Sequence, residues 1–519
     1  MQIYTGTQIR DWDRYTIEHE PIRAIDLMER AAVAITTEIA ERWDSSYTFV
    51  ALAGPGNNGG DALAVARLLS EKGRQVEAYL FNTTGKLSDE CSQNMRRLQN
   101  TKKMKKVVEV THDFEPPRLD DHTVVIDGLF GAGLNKPLHG GFASVVKYVN
   151  SSQATVVSID MPSGVHTEDN TGLPRQNMMR ADLTLTLQQK KLSMYLADNE
   201  PYFGEIKTVG IGLSKEFVRR THASFSLLEK SEVMSILRPR SKFAHKGTMG
   251  HALLFAGSYG MAGAAILAAR AALRSGVGKL TVHTPLCNND ILQIAVPEAI
   301  LQHDPDEHIF AHPADADSYD AVALGPGIGR NEDTAIALMS QIRRTQCPIV
   351  LDADALNILA EHRAWINQLP FDLVLTPHPM EFDRLAGSVS DSSYARLAKA
   401  CALAEKMKSY IVLKGHYTAL CCPDGETIIN PTGNAGMATA GAGDVLTGVI
   451  VGLLARGYTR REACIVGMYM HGLAGDIAAS CLGEESLTAS DIVKFLSGAF
   501  QGATGIVPIY DFQQTEQNT

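Results

Sequence analysis

The sequence predicts an α/β fold with two domains, each built around a largely parallel sheet. Short apolar, β-branched segments alternate with longer segments of helical periodicity, which is the pattern of α/β domains. The 519 residues are about three times the ~150 residues of an average domain. With 45% hydrophobic and 20% charged residues, the composition excludes a disordered, collagen-like or coiled-coil chain.

The predicted strands form two series, one in each half of the chain. The first series comprises Thr48–Ala53, Val76–Phe81, Val124–Ile126, Val156–Ile159 and Leu183–Leu187. Between its first two strands, apolar residues at helical spacing predict a helix over Ala62–Lys72. The second series comprises Ala252–Ala256, Leu280–Thr284, Ala321–Leu324, Ile349–Leu351, Leu373–Leu375, Tyr410–Leu413 and Thr418–Cys421.

The segment between the two series marks the domain boundary. Residues Leu213–Thr248 are densely charged and contain no strongly predicted strand. We therefore expect one domain over residues 1–222 and a second over 226–502. A polar tail over 503–519 is expected to fray.

Charge and cysteine usage exclude several classes of function. Lys and Arg number 48 against 58 Asp and Glu, a net charge of −10. Nucleic-acid affinity comes from neutralising phosphates, so we expect no nucleic-acid partner, although a small local basic pocket is compatible with this composition. The apolar stretch Val445–Ala455 is far shorter than the ~20 residues of a membrane span. The charged N-terminus and eight cysteines without a CxxC pair predict a reduced, cytoplasmic protein without a signal peptide.

A glycine-rich loop follows the first predicted strand. Gly54, Gly56 and Gly59 form a GxGxxG pattern before a predicted helix, where backbone N–H groups can approach an anionic ligand. An ordinary dinucleotide-binding dehydrogenase would have an acidic residue at the end of the next strand, but that strand ends at Phe81-Asn82. The alternative is a tight turn in which Asp61 caps the helix, and the loop alone does not decide between them.

Two further strand ends favour a ligand site. Asp127 ends one predicted strand and precedes the glycine-rich residues 128–133, and Asp160 ends the next strand before Pro162-Ser163-Gly164. The carboxyl ends of parallel strands meet at one edge of a sheet, where ligands of doubly wound folds bind. Each Asp taken singly is also compatible with a helix cap, whereas the three ends together predict a site.

The stretches AGPGNNGGD, DGLFGAGL and DMPSG, in this order and spacing, resemble the NAD(P)H-hydrate epimerase family (the YjeF N-terminal domain). The resemblance covers about residues 3–213 and implies a three-layer, Rossmann-like α/β domain. It also implies a K⁺ ion held by oxygen ligands from Asn58, Asp127 and Ser163. The residues that it implies for binding the hydrated dinucleotide are Asn57, Asn58, Gly59, Gly60, Asp61, Gly131, Ala132, Gly133, Leu134, Asn135, Lys136, Pro137 and Asp160. Asp160 is the candidate for proton transfer.

The second half contains a loop of small residues that leads into an apolar helix. In the stretch GMATAGAGD, Asp444 follows Gly441-Ala442-Gly443, and amides at a helix N-terminus form an anion hole. Asp444 can take a proton from an attacking hydroxyl, and the pattern resembles the GAGD of ribokinase-like kinases. A close helix–helix contact through Gly441, Gly443 and Gly448 would explain the small residues but not the carboxylate.

Four other stretches, HKGTMG, GPGIG, LDADALN and TPHPME, together with this loop resemble the NAD(P)H-hydrate dehydratase family over about residues 226–502. One departure is Ala435, where the family often has proline. The resemblance implies a ribokinase-like fold in which the hydrate contacts Asp444, Gly327, His378, Gly263 and Ala264. The residues implied for the adenine nucleotide are Lys414, Gly415, His416, Tyr417, Thr418 and Gly443. A histidine between prolines is alternatively a turn residue bonded to backbone, and the small residues of Met261–Ala272 alternatively serve close packing.

The two resemblances together imply repair of hydrated NADH and NADPH. Hydroxide is a poor leaving group, so phosphorylation of the hydrate's hydroxyl by ADP with Mg²⁺ would permit elimination. Such a site accepts one epimer, the S form, and the first domain would interconvert R and S. ADP is favoured over ATP because this domain order is usual among bacterial members of the family. We expect a homo-oligomer. The alternative is a ribokinase-like small-molecule kinase fused to a non-catalytic binding module.

Overall fold

The structure, a computed structural model, describes residues 1–101 and 103–504 and divides them into two compact units. The N-terminal unit comprises Gln2–Ala223 with the short segment Asp391–Ala395, and the C-terminal unit comprises Ser224–Ser390 and the described residues from Arg396. Of the predicted polar tail, positions 505–519 lie outside the described residues, while 503 and 504 end the last helix.

The N-terminal unit is built on a seven-stranded parallel sheet. Strand β1 Gln2–Ile3 lies outside this sheet. The seven strands of the sheet are β2 Thr48–Ala53, β3 Gln75–Phe81, β4 Lys106–Val110, β5 Thr123–Gly128, β6 Thr155–Ile159, β7 Leu183–Leu187 and β8 Glu205–Val209. The sheet order is β4–β3–β2–β5–β6–β7–β8. The chain moves outward from β2 to β4 and then returns to place β5 beside β2. The sheet therefore reverses its winding between β2 and β5.

Helices cover both faces of this sheet. They are α1 Gly6–His19, α2 Ala24–Arg42, α3 Asn57–Glu71, α4 Asp89–Gln99, α5 Gly140–Asn150, α6 Glu200–Phe203 and α7 Lys215–Arg220. Successive strand residues point to opposite faces: Phe49 and Ala51 join the core formed with α2, α3 and α4, and Val50 and Leu52 join the core formed with α5. This alternation confirms the predicted three-layer α/β architecture.

The C-terminal unit contains a larger sheet that is mainly parallel. Its strands are β9 Phe225–Leu227, β10 His251–Phe255, β11 Lys279–Thr284, β12 Ile300–His303, β13 Ala321–Leu324, β14 Ile349–Leu351, β15 Val374–Leu375, β16 Tyr410–Leu413, β17 Ala419–Cys421 and β18 Thr427–Ile429. They run in the order β9–β18–β17–β16–β15–β14–β13–β10–β11–β12. Pairing is parallel from β12 to β16, while β17 is antiparallel to both of its neighbours. The winding reverses between β10 and β13.

The helices of this second unit also form two layers around the sheet. They are α8 Lys230–Ile236, α9 Ala262–Arg274, α10 Asn289–Ala295, α11 Glu332–Arg344, α12 Ala353–Glu361, α13 Pro379–Ala386, α14 Ser393–Met407, α15 Ala442–Ala455, α16 Arg460–Leu482 and α17 Ala489–Thr504. Ala252 and Leu254 of β10 pack into the core with α9, α15, α16 and α17. Leu253 and Phe255 are also fully buried but lie outside that core, so they face the opposite layer.

One described helix, α16, is long and apolar enough to cross a membrane by length and composition. The mean hydropathy of its most apolar window is 1.2, and 56% of that window is buried inside the protein. Val466 and Met470 of this helix belong to the apolar core of the C-terminal unit. A core helix of this length satisfies the same criteria, and α16 has the packing of a core helix.

Candidate active sites

The first candidate site lies where the sheet of the N-terminal unit reverses its winding. The carboxyl ends of β2, β5 and β6 lie side by side, and they lead into the glycine loop, the Asp127 loop and the Asp160 loop respectively. The sequence-predicted residues of these three loops are therefore brought to one edge. This is where a doubly wound sheet leaves a crevice for ligands.

The glycines of the first loop divide into packing and open positions. A Cβ on Gly54 would lie 1.8 Å from the carbonyl oxygen of Leu129, and one on Gly59 would lie 1.8 Å from that of Gly54. A Cβ on Gly56 or Gly133 would meet nothing within 4 Å, so these two positions border open space. Gly56 is the N-cap of α3, and no side chain caps this helix. The alternative interpretation of Asp61 as a helix cap is therefore wrong, because Asp61 lies inside α3.

Asp127 is fully buried, and its hydrogen-bond donors are all neutral. Its Oδ2 accepts from the Ser158 hydroxyl and the Ser163 amide at 2.8 Å each, and its Oδ1 accepts from the Ser163 hydroxyl at 2.5 Å. Burial raises the pKa of Asp127, although these hydrogen bonds oppose the increase. A buried carboxylate without a paired positive charge is suited to a cation.

Asn58 joins the same cluster from α3. Its Oδ1 lies 2.7 Å from the position of a Cβ on Gly131, and its buried Nδ2 has no hydrogen-bond partner among the described residues. The Ser163 hydroxyl in turn accepts a hydrogen bond from the Phe130 amide at 2.9 Å. Asn58, Asp127 and Ser163 thus surround one short segment, 128–131, with oxygen atoms. This donor set fits a hard monovalent cation such as K⁺.

Asp160 forms an ion pair that the sequence did not predict. Its Oδ1 accepts from the fully buried Lys191 ammonium and from the Leu187 amide, and its Oδ2 accepts from the Ala132 amide at 3.3 Å. Lys191 also donates to the Thr186 hydroxyl at 2.8 Å. The φ angle of Asp160 is 65°, so the carboxylate sits on a left-handed residue at the sheet edge. Asp160 therefore holds the loop 131–137 at Ala132.

Two further carboxyl groups interact with this ion pair. Burial, and then the charge of Asp160, raise the pKa of Asp13 to about 7, while Lys191 opposes the increase. Burial and the charges of Asp160 and Asp13 also hold the pKa of Asp61 well above its ordinary value. Asp13 lies on α1, which begins beside the loop 131–137, because a Cβ on Gly6 would lie 3.0 Å from the Ala132 carbonyl oxygen.

The remaining predicted binding residues of this unit are spread along the same edge. Asn57 is exposed at the start of α3, and the buried Gly60 packs against Met28, whose Sδ lies 2.8 Å from a Cβ at this position. The loop residues Leu134, Asn135, Lys136 and Pro137 are half-buried or exposed. Sequence reasoning missed Asp13 and Lys191. Lys191 follows β7, the strand next to β6, so its position after a strand end was the available signal.

The second candidate site lies at the carboxyl edge of the sheet in the C-terminal unit. Asp352 follows β14, Thr376-Pro377-His378 follows β15 and Lys414 follows β16, and these three strands are neighbours. The GAGD loop leads into α15, whose N-cap Gly441 has a φ of 90°. The LDAD, TPHPME and GAGD stretches, which are far apart in the sequence, therefore meet.

A buried lysine–aspartate pair forms the centre of this site. The Lys414 ammonium lies 2.9 Å from Oδ1 of Asp352 and 3.8 Å from Oε2 of Glu381, and the Thr447 hydroxyl donates to Oδ2 of Asp352 at 2.7 Å. Burial alone would lower the pKa of Lys414, but the two carboxylates outweigh it and the pKa is raised. Lys414 is therefore fully protonated at neutral pH.

Asp444 faces this pair from the first turn of α15. Burial and the negative charge of Asp352 raise the pKa of Asp444 to about 7, and the positive charge of Lys414 opposes the increase. His471 fixes the same turn, since its Nε2 donates to the Ala442 carbonyl at 2.9 Å. Burial lowers the pKa of His471 to about 4, so its ring is neutral near pH 7.

The glycines around Asp444 have two different roles. A Cβ on Gly448 would lie 2.1 Å from the Ala268 carbonyl oxygen of α9, and one on Gly441 would lie 2.4 Å from Leu267. A Cβ on Gly443 would instead lie 2.9 Å from the Lys414 ammonium nitrogen and 3.8 Å from Asp352. The helix–helix contact considered as an alternative is therefore present at Gly448 and Gly441, while Gly443 borders the site.

His378 is a turn residue bonded to backbone, as its alternative interpretation predicts. Its Nδ1 accepts from the amides of Met380 and Glu381 and caps α13, while the Glu381 carboxylate accepts from the His378 amide at 2.8 Å. The side chain remains 43% exposed, and its Nε2 lies 3.3 Å from Oε1 of Glu381. Contact with the hydrate and the capping role are therefore compatible.

The other predicted contacts of this unit divide between packing and open space. Gly327, with a φ of 64°, packs against α9, because its Cβ would lie 3.1 Å from that of Ala264. A Cβ on Gly263 would meet nothing within 4 Å. The predicted nucleotide loop Gly415, His416, Tyr417 and Thr418 connects β16 to β17. Sequence reasoning did not assign Asp352 or Glu381, although both lie in motifs that it singled out.

Comparison with known protein families gives a match for each unit. Residues 252–497 match a family model described as NAD(P)H-hydrate dehydratase, and residues 24–193 match one described as YjeF-related protein N-terminus. Three relatives bear the name bifunctional NAD(P)H-hydrate repair enzyme Nnr. The proteins from Thermofilum pendens and Coxiella burnetii are each 33% identical and span 96% and 95% of this chain, with 96% and 98% of their own lengths. The Escherichia coli protein is 30% identical over 95% of this chain and 93% of its own.

Two solved structures are similar to the C-terminal part of the chain. A Bacillus subtilis protein described as an ADP/ATP-dependent NAD(P)H-hydrate dehydratase, crystallised with ATP and Mg²⁺, is 32% identical, with a TM-score of 0.49. It covers 54% of this chain and 98% of its own. A ribokinase-like protein from Enterococcus faecalis is 26% identical, also with a TM-score of 0.49, and covers 55% of this chain and 98% of its own.

Proposed function

The chain belongs to the family of bifunctional NAD(P)H-hydrate repair enzymes, and from this premise we propose that it returns hydrated NADH and NADPH to the active cofactors. The C-terminal unit dehydrates the S form at the expense of ADP, giving AMP and phosphate. The N-terminal unit interconverts the R and S forms. The family match over nearly the whole chain supports both activities together.

In the dehydratase reaction, Asp444 is the general base. Near neutral pH a carboxyl group with a pKa of about 7 is partly deprotonated, so it can take the proton from the hydrate's hydroxyl. The oxygen then attacks the terminal phosphoryl group of the nucleotide. Once the oxygen carries phosphate it becomes a good leaving group, and the lone pair of the ring nitrogen expels it. The proton of the adjacent carbon is lost as the ring double bond re-forms.

The first turn of α15 and Lys414 stabilise the transferring phosphoryl group. The amides at the N-terminus of α15, in the turn that carries Gly443 and Asp444, lower the energy of a developing negative charge. Lys414, Gly415, His416, Tyr417, Thr418 and Gly443 hold the nucleotide. Mg²⁺ bound to the phosphates would neutralise part of their negative charge.

On the opposite side of Asp444, four residues receive the hydrate. Gly263 borders open space on α9, Ala264 and Gly327 form one packed wall, and the exposed edge of His378 completes it. The hydroxyl must lie between Asp444 and the phosphoryl group for in-line transfer. This arrangement accepts one configuration at the hydroxyl-bearing carbon, which is why the chain also needs an epimerase.

In the epimerase reaction, carboxyl groups move the proton. Inversion requires that the C–O bond break and re-form on the opposite face of the ring, so a hydroxyl is protonated as it leaves and a water is deprotonated as it returns. The charge of Asp160, which is held by Lys191, helps to raise the pKa of Asp13 to about 7, so these two carboxyl groups lie near one another. Asp13 is the group that can both give and take a proton near neutral pH. The loops 57–61 and 131–137 bind the dinucleotide.

A K⁺ ion held by Asn58, Asp127 and Ser163 completes the epimerase site. When bound, the ion would supply a fixed positive charge beside the substrate. Asn58, Asp127 and Ser163 would hold it, with Asp127 supplying the negative charge, and the Ser163 hydroxyl accepts from the Phe130 amide. This proposal is supported by the buried Asp127, whose donors are neutral, and by the Asn58 amide oxygen, which lies beside Gly131.

We further propose that the enzyme works in the cytoplasm as a homo-oligomer. All eight cysteines are free thiols, as a reducing compartment requires. α/β domains of this kind commonly pair through apolar surfaces, and closed symmetric assemblies are the usual result. The small-molecule partners are the hydrates of NADH and NADPH and the adenine nucleotide.

The observation that carries the dehydratase proposal is the placement of Asp444, with a raised pKa, beside the Lys414–Asp352 pair at a helix N-terminus. The test is incubation of the purified chain with mixed R and S hydrates of NADH and either ADP or ATP. Complete return of the dihydronicotinamide absorbance with ADP supports both activities. Conversion limited to the S share, beyond spontaneous interconversion, contradicts the epimerase. A phosphorylated hydrate that accumulates without any absorbance contradicts the dehydratase and favours a kinase.

A further inference from the structure

A basic cavity lies in the C-terminal unit, away from both candidate active sites. Its volume is about 290 Å³, and its lining includes Arg238, Arg240, Arg456, Tyr458, Phe243 and Thr248. Three guanidinium groups therefore border one small cavity in a chain whose net charge is −10. Such a concentration of positive charge is the opposite of what the composition as a whole favours, so it needs a local explanation.

Two of the arginines converge on a single point. A Cβ on Gly276 would lie 2.6 Å from one Nη of Arg240 and 3.4 Å from one Nη of Arg456. Gly276 has a φ of 89° and no side chain, which lets both guanidinium groups approach the same place. The third arginine, Arg238, stacks on Tyr458, with 4.6 Å between its guanidinium carbon and the ring centre.

Part of this charge is used by the fold. Arg240 donates to the Gly276 carbonyl, Arg456 to the Ser275 carbonyl and Arg238 to the Gly457 carbonyl, so the arginines satisfy helix C-terminal oxygens. Only Arg238 has a carboxylate partner among the described residues, Glu462 at 2.7 Å. Arg240 and Arg456 therefore keep full positive charges that no described carboxylate neutralises.

Arg456 shows the electrostatic cost of this arrangement. Its Nε is buried and has no hydrogen-bond partner among the described residues. Burial and the charges of Arg240 and Arg238 hold the pKa of Arg456 below its ordinary value. An unpaired buried donor is unfavourable unless something binds to it. A negatively charged ligand would relieve both problems.

The cavity lies at the opposite end of α15 from Asp444. The helix spans Ala442–Ala455, and Arg456 follows its last residue. At 1.5 Å per residue these 14 residues are about 20 Å long. Gly250 precedes β10, and a Cβ on it would lie 1.8 Å from the carbonyl oxygen of Ala455, which places this end of α15 at the amino edge of the sheet. The cavity is therefore separate from the nucleotide site at the carboxyl edge.

We propose that this cavity, bordered by Arg238, Arg240 and Arg456, is a second binding site for a phosphoryl group. Planar guanidinium groups match the oxygens of phosphate and bind them in pairs. Phe243, 90% exposed at the rim, gives a flat surface on which a nucleoside base can stack, so the phosphoryl group belongs either to free phosphate or to a nucleotide.

The test compares the full-length protein with two single-charge variants by calorimetric titration with inorganic phosphate at constant ionic strength. Arg240→Gln removes one guanidinium group from the cavity, and Arg344→Gln removes an exposed one from α11 of the same unit. We expect Arg240→Gln to weaken one class of phosphate sites by about tenfold or more, with Arg344→Gln unchanged. Both variants should keep the parent's dehydration rate, which shows that the site around Asp444 is intact.

A parallel titration with ADP distinguishes the source of the phosphoryl group. If Arg240→Gln and Phe243→Ala both reduce the number of ADP molecules bound from two to one, the cavity takes a nucleotide. If ADP binding is unchanged and only phosphate binding falls, it takes free phosphate. The proposal is overturned if phosphate binding is not saturable, or if Arg240→Gln and Arg344→Gln behave alike.

Discussion

The two units hold similar groups of charged side chains on different supports. In each unit a buried lysine pairs with an aspartate at a strand end: Lys191 with Asp160, and Lys414 with Asp352. In each a further aspartate near the pair has its pKa raised to about 7. A buried ion pair next to a carboxyl group that titrates near neutral pH is thus common to both sites.

The two units differ in the position of the titrating carboxyl group on its helix, and this difference matches the two reactions. In the C-terminal unit the titrating carboxyl, Asp444, begins a helix whose amides face the reacting group. In the N-terminal unit it is Asp13, in the middle of α1, while the helix N-terminus of that site, at Gly56, belongs to α3. Phosphoryl transfer develops charge that needs an anion hole, whereas moving a hydroxyl between two faces of a ring needs only proton transfer. We infer that the two activities differ in whether the titrating carboxyl group stands at a helix N-terminus.

The strongest test of this comparison is Asp444→Asn. We expect dehydration to fall by about 10² to 10⁴, the usual contribution of a general base, with epimerisation unchanged. The rate of return of dihydronicotinamide absorbance measures the first, and chromatographic separation of the R and S hydrates measures the second. The matched control is Asp290→Asn, an exposed carboxylate of the same unit. Full dehydration activity in Asp444→Asn would refute the mechanism.

The corresponding change in the N-terminal unit is Asp13→Asn. We expect it to slow epimerisation by about 10², because the group that titrates near neutral pH is lost, and to leave dehydration of purified S hydrate at the parent rate. Asp11→Asn, two positions earlier on the same helix, is the control and should keep both rates. If Asp11→Asn and Asp13→Asn slow epimerisation equally, α1 acts only through structure.

The pH profile sharpens the comparison further. The base form of Asp444 is lost as the pH falls through about 7, so the dehydration rate should fall by about tenfold for each pH unit below that value. The signal is the initial rate with saturating nucleotide and S hydrate between pH 5 and 8. A dehydration rate that does not change with pH over this range contradicts the assignment of Asp444 as the base.

The smallest effects are expected from two glycines of the same helix. Gly448→Ala places a methyl group 2.1 Å from the Ala268 carbonyl and should destabilise the C-terminal unit by about 1–3 kcal/mol. Gly443→Ala meets the end of the flexible Lys414 side chain at 2.9 Å, so we expect unchanged stability but a higher KM for the nucleotide. Thermal unfolding and nucleotide kinetics measure the two. A melting temperature that falls in Gly443→Ala but not in Gly448→Ala would contradict the assignment of Gly448 to the helix contact and of Gly443 to the nucleotide site.

The sequence predicted those residues of each candidate site that lie next to a clear apolar segment. Asp127, Asp160 and Asp444 follow or precede clear apolar segments, so local pattern was sufficient to find them. The edge strands β4 and β8 were not predicted, because exposed residues such as Lys106 and Glu205 interrupt their apolar pattern. Residue propensities predict a strand poorly where one side of the strand faces solvent.

Residues that act through tertiary contacts could not be found in this way. Asp13 lies on a helix more than a hundred residues before Asp160, and only the fold brings its charge close to the Lys191 pair. Glycines posed the same problem: Gly443 and Gly448 look alike in the sequence, yet one borders the site and the other touches a helix backbone. Spacing does not reveal which side of a helix faces a neighbour.

Helix α15 meets α9 through bare backbone at Gly448, one turn after the reacting carboxyl. No flexible side chain at this contact can move aside for an added methyl group. Any substitution that fills the contact therefore shifts helix α15, which carries Asp444. Directed evolution toward heat resistance usually fills small gaps of this kind. In this protein we expect such gains at the α9–α15 contact to be bought with catalytic rate, and selections that retain turnover to find their stabilising changes elsewhere.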